Sequence, residues 1–124
     1  MTDNELRFFE PMPDLFPIYE QLRDTLARRY PVLETKVGRT QISLRNRYVF
    51  AAVSLPWRRV KGWPERYLLL SFGLEHKVES PRIAAASEPY PRRWTHHLLL
   101  LSPADLDQEV YDWLDEAYRF AMVK

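Results

Sequence analysis

The chain has 124 residues, 46% apolar and 14% aromatic, and a net charge of +1. That length suits one domain spanning residues 1–124, with a core large enough to stand without staples, and that apolar fraction excludes a disordered chain. Cysteine is absent, which excludes disulfides, thiolate metal sites and cysteine nucleophiles together and fits a cytoplasmic setting.

The opening "MTDNELRFFEPMPDLF" is acidic and polar with no basic segment ahead of an apolar run, so no signal peptide is expected. Phe8 and Phe9 are expected to anchor an otherwise loose N-terminus. A first helix is predicted from about Asp14 to Arg29, because Leu15, Ile18, Tyr19, Leu22 and Leu26 fall on one face at helical spacing. Pro13 and Pro17 fall in or before its first turn, where a missing N–H costs little, and Pro31 ends it.

The period then changes to two. In "TQISLR", Gln41, Ser43 and Arg45 face one way and Ile42 and Leu44 the other. Asn46 and Arg47 form a tight turn, and "YVFAAVSL" returns as a second strand. Residues 56–66, "PWRRVKGWPER", are a connection between two prolines. "YLLLSFGL" and "WTHHLLLL" are two further strands, and "IAAASEPY" between them reads equally as strand or short helix. Neither apolar run approaches the ~18 residues of a membrane span. A last helix starts at "SPADL", with Ser102 as N-cap, Pro103 at the first position and Asp105 completing a capping box. Leu106, Val110, Trp113, Leu114, Ala117, Tyr118 and Ala121 form its buried stripe. The expected fold is α+β: an antiparallel sheet of four to five strands, flanked by an N-terminal and a C-terminal helix on one face.

Charge is unevenly spread. Residues 36–66 carry eight basic side chains against Glu65 alone, whereas residues 102–124 carry six acidic ones against Arg119 and Lys124. The acidic run is the solvated face of the last helix. The basic stretch is the one positive signal. Gln41, Ser43, Arg45 and Arg47, with Trp57, Arg58, Arg59, Lys61 and Trp63 in the connection, combine cations with aromatic rings, which is the chemistry that holds phosphates and stacks bases.

The His96-His97 doublet invites a metal or catalytic reading, but successive strand residues point to opposite faces. One histidine therefore faces the helical layer or its rim and the other the open side, and no HxxxH or HExxH spacing supports a metal. Glycine-rich phosphate loops, GxSxG elbows and kinase motifs are absent, so no cofactor is expected.

Two stretches, "TKVGRTQISLRNRYVFAAVSLP" and "PRIAAASEPYPRRWTHHLLLLSPADLD", resemble a family of small uncharacterised bacterial domains of unknown function, similar in layout to YdhG-like α+β domains. The resemblance implies an α+β fold and a cytoplasmic setting, and no activity. It marks Thr40, Gln41, Ser43, Arg45, Arg47, Trp94, His96 and His97 as positions that match its pattern. The function expected is non-enzymatic binding of an anionic small molecule or nucleic acid through the open sheet face, at Gln41, Ser43, Arg45, Arg47, Trp57, Arg58, Arg59, Lys61, Trp94, His96 and His97. The alternatives are an enzyme using an open-face histidine on an anionic substrate, and a homodimer or protein-interaction module joined through the apolar strands.

Overall fold

A computed structural model describes residues 3–56 and 58–123. Helix α1 (Asp3–Phe8) leads through a 3-10 turn (Pro13–Leu15) into α2 (Phe16–Arg29). Six strands follow, β1 (Glu34–Val37), β2 (Ile42–Arg45), β3 (Val49–Ser54), β4 (Leu68–Leu74), β5 (Ile83–Tyr90) and β6 (Arg93–Leu100), and a second 3-10 turn (Pro103–Asp105) precedes α3 (Gln108–Val123). The strands form one antiparallel sheet in the order β1-β2-β3-β4-β6-β5. The fold is α+β, as the sequence predicts, with six strands where four to five are expected.

One additional strand is β1, three of whose four residues are exposed; without a buried face it has no alternation to read. The fifth strand of that expectation, left open between strand and helix above, is β5. It is an edge strand paired only to β6, with register shifts on both sides of its centre.

The alternation in β2 to β6 places the core. Ile42 and Leu44, Ala51 and Val53, Leu68 and Leu70, and Leu98 and Leu100 all point to one side and are buried. Against them lie Ile18, Leu22 and Leu26 of α2 and Val110, Leu114 and Ala117 of α3, in one continuous apolar cluster. Each fully buried leucine contributes about 1.5–3 kcal/mol, so this layer carries most of the stability. Helix α2 ends where Tyr30 turns extended before Pro31, the conformation that a following proline imposes.

Both chain ends differ in detail from the expectation. The N-terminus is helical rather than loose. Glu5 is buried, accepts a hydrogen bond from the Tyr19 hydroxyl and meets the Arg23 guanidinium at 3.1 Å, while Phe9 stacks on Tyr19. Burial first, and then that carboxylate, push the Tyr19 hydroxyl well above its usual pKa. At the other end the Ser102–Asp105 capping box is present but closes only the 3-10 turn. The helix proper begins after a break, and Asp107 Oδ1 accepts the Val110 N–H at 3.2 Å in the N-cap manner. Asp107 and Glu109 also hold Arg82, at 2.9 and 3.0 Å, tying the start of α3 to the approach to β5.

The two turns at one end of the sheet are held differently. In the β2–β3 turn the buried Asn46 donates its amide to the Tyr118 carbonyl at 2.9 Å and accepts the Tyr48 N–H at 3.2 Å, locking the turn to α3. In the β5–β6 turn Arg92 has φ 60° directly after Pro91. A left-handed backbone costs a non-glycine residue roughly 1–2 kcal/mol.

Candidate functional site

The second face of the sheet has no helix on it. The registers place Lys36, Ser43, Ala52, Ser71, His97 and Ala85 in one row across all six strands. Gln41 and Arg45 of the β2 segment lie on the same side, with the Gln41 amide donating to Ser43 Oγ at 3.1 Å. The side chains near the middle of this face are small, and the 56–66 connection folds back over one end of it.

Under that connection is a pocket of about 260 Å³, lined by Leu55, Pro56, Arg58, Val60, Trp63, Tyr67, Leu69, Ala85 and His97. Its walls are apolar and aromatic, and Trp63 meets Tyr67 edge to face at 5.7 Å. Among its lining residues polar side-chain groups belong to Arg58, Trp63, Tyr67 and His97. Such a composition, apolar walls with a few convergent polar groups, is that of small-molecule sites.

His97 is held in place by its neighbour on β4. Ser71 Oγ lies 2.7 Å from Nδ1. With the serine hydroxyl donating, the neutral ring carries its proton on Nε2, leaving a donor for a further partner. Burial holds the His97 pKa below the usual imidazole value, so the ring is neutral near pH 7. An anion bound beside it would favour the charged form and reverse that shift.

The two histidines divide between the faces, as strand geometry requires. His96 is fully buried in the helical layer, stacked on Phe72 at 5.1 Å, and Phe72 in turn stacks on Trp113 of α3. Its Nε2 accepts the Val78 N–H at 2.9 Å. Burial lowers its pKa, with the nearby Phe72 carbonyl partly offsetting the effect. His96 is thus a core residue and cannot reach a ligand on the open face. Trp94, opposite Leu74 on the helical side, is also removed from that surface, and the Lys77 ammonium lies 5.8 Å from its ring centroid.

The remaining expected residues are dispersed. Arg59 pairs with Glu65 in the solvent, and Lys61 is exposed. Arg47 lies over the Tyr48 ring, at the end of the sheet away from the pocket, and Arg45 donates to the Arg47 carbonyl. Trp57 lies outside the described residues. Among the described residues, Arg58 and His97 of the expected set come together in the pocket, with Trp63 of the same connection beside them. Ser71 is not among the expected residues, although it is the one polar side chain of β4 and therefore a visible exception in an apolar strand. Leu69, Tyr67 and Ala85 carry no sequence signal of their own.

Among the described residues no group of three or more histidines and carboxylates is placed to hold a metal ion, and no helix is long and apolar enough to cross a membrane. No curated protein and no solved structure matches the chain. A family model does match, over residues 8–121, and the chain belongs to the family described as domain of unknown function DUF5655.

Proposed function

We propose that the domain binds a small anionic molecule in the pocket between the open sheet face and the 56–66 connection. The observation that supports this most is the fixed His97 ring, held by Ser71 in an otherwise apolar pocket that Arg58 also lines. Arg58 supplies a permanent charge in a planar donor fork suited to carboxylate or phosphate. His97 supplies a second donor whose charge strengthens once the anion is present. Trp63 and Tyr67 offer flat apolar surface to the rest of the ligand. The absence of cysteine is consistent with a cytoplasmic pool as its source.

The Ser71–His97 pair is also the arrangement of a nucleophile and its base, which favours the enzymatic alternative. Two features weigh against it. Ser71 lies mid-strand, between β3 and β6 neighbours that use its backbone groups, so its own N–H is not available as an oxyanion donor. In addition, the serine meets Nδ1, and among the described residues no carboxylate lines the pocket to orient the ring from its other side. The pair therefore reads as a positioned donor.

Thermal shift assays against inorganic phosphate, nucleotides and small carboxylates test the reading. At least one class should raise the melting temperature of the parent protein by mass action, and Arg58→Glu should abolish that rise. A panel that leaves the parent unmoved, or moves parent and variant equally, contradicts it.

A further inference from the structure

At the opposite end of the same face, the β2–β3 and β5–β6 turns converge around a second, wider depression of about 730 Å³, lined by Tyr48, Pro89, Tyr90, Pro91, Arg92, Arg93 and Thr95. We propose that this end is a surface for single-stranded nucleic acid, separate from the pocket under the 56–66 connection. Bases would stack on Tyr48 and Tyr90, and phosphates would meet Arg45, Arg47 and Arg92.

Three observations carry it. First, two rings are exposed: Tyr90 is 71% exposed, and Tyr48 is 42% exposed with the Arg47 guanidinium over one of its faces. Exposed aromatic rings on a rigid edge are the stacking platforms that single strands use. Second, among the described residues Arg45, Arg47 and Arg92 cluster at this end with no carboxylate within ion-pair distance, whereas Arg23, Arg29, Arg59, Arg66 and Arg82 are paired to acids and Arg7, Arg28, Arg39 and Arg119 are not. The Arg45 side chain is directed to this end of the sheet by its terminal N–H, which donates to the Arg47 carbonyl at 3.3 Å. Two carboxylates lie at this end, Glu88, which accepts the Arg92 N–H at 3.2 Å, and Glu34, opposite Arg45 in the β1–β2 register.

Third, Arg92 has the left-handed conformation for which glycine or asparagine is the low-energy choice after proline. The turn geometry does not call for arginine there, so the side chain itself is the reason for keeping the strain. Gly73 leaves the face open between the two turns: it lies opposite Thr95 and has no side chain. Arg93 takes no part in the contact, since its guanidinium lies over Phe120.

The test is fluorescence anisotropy with labelled oligo-dT and oligo-rU of about 12 nucleotides, a length within the range single-strand binders occupy. Affinity should fall steeply between about 50 and about 200 mM salt. Arg47→Glu combined with Arg92→Glu should weaken binding at least tenfold, and Tyr90→Ala several-fold. Arg92→Gly separates the turn from the ligand: its melting temperature should rise while its affinity falls. Arg58→Glu should leave oligonucleotide binding unchanged, which keeps this surface distinct from the pocket. No binding at low salt, or binding insensitive to the Arg47 and Arg92 changes, overturns the proposal. Equal affinity for a duplex of the same sequence overturns the stacking assignment.

Discussion

The two faces of the sheet are made from the same strands, yet they follow different rules. On the helical face the inward positions of β2, β3, β4 and β6 are apolar apart from His96, and even that ring is stacked and hydrogen-bonded. On the open face the central row is Ser43, Ala52, Ser71 and His97, small or polar, beside the Leu69–Leu99 pair, with basic and aromatic groups gathered at both ends. A strand's period of two allows this division, because every second residue is released from the core and can be given to a ligand. The difference teaches where stability and function separate. Substitutions on the helical face should act on folding, and those on the open face on binding with the fold intact.

The largest effect that would sharpen this contrast is a cavity in the helical face. Leu70 is fully buried in the central strand β4, and Leu70→Ala should cost about 2–5 kcal/mol, read by chemical denaturation. Its open-face neighbour Ser71, changed to alanine, should cost well under half as much while freeing the His97 ring; equal losses at the two positions would break the comparison. Next is Glu5→Ala, which leaves the Tyr19 hydroxyl and the Arg23 guanidinium without their shared carboxylate. A loss of about 1–3 kcal/mol is expected, since the buried Tyr19 hydroxyl loses its acceptor while Arg23 keeps its ion pair with Asp24. A change within experimental error would mean that α1 is not fastened as described.

Acidification gives a smaller effect with a definite sign. His96 and His97 both have pKa values lowered by burial. The unfolded chain takes up protons near the ordinary value of about 6.5, where the folded chain does not. Their contribution is therefore fully present above about pH 6.5 and declines as the pH falls below it. His76 moves the other way, raised first by its hydrogen bond to Glu116, so its contribution is present below the unfolded value and fades as the pH rises through the folded one. His76 is exposed, so the buried pair should dominate, and the melting temperature should drop between about pH 7.5 and about pH 5.5. His96→Gln, which keeps an acceptor for Val78, should flatten the drop; an undiminished slope would assign it elsewhere.

Most of the helical face was legible in the sequence, and less of the open face. Helix α2, the final amphipathic stripe and the alternation of Ile42 and Leu44 follow from apolar spacing, because burial imposes a period on the chain. The opposite placement of His96 and His97 follows from strand geometry alone. What burial does not impose was harder to read. Strand β1 has no core-facing stripe, and α1 is fixed by Glu5, a polar residue that pairs with Tyr19 and Arg23 far along the chain. The break between Ser102 and Asp107 was hidden because the capping box is genuine but serves a single turn. For the candidate site the outcome is similar. Arg58 and His97 were visible as residue types, but their meeting depends on the 56–66 connection folding across the sheet, and no local pattern encodes that contact. Trp94 and His96 matched the chemistry of a site and belong to the helical layer. Tyr90 and Arg92 draw interest only once their exposure and backbone conformation are known.

The central claim is that His97 and Arg58 form one anion site, and the most direct measurement is an NMR pH titration of the His97 ring with and without saturating inorganic phosphate. The account expects phosphate to raise the His97 pKa and to shift the amide signals of Ser71, Leu69 and Ala85, with Arg58→Glu removing both effects. A His97 titration that is unchanged by phosphate and by small phosphorylated and carboxylated ligands, with those amides undisturbed, would contradict it.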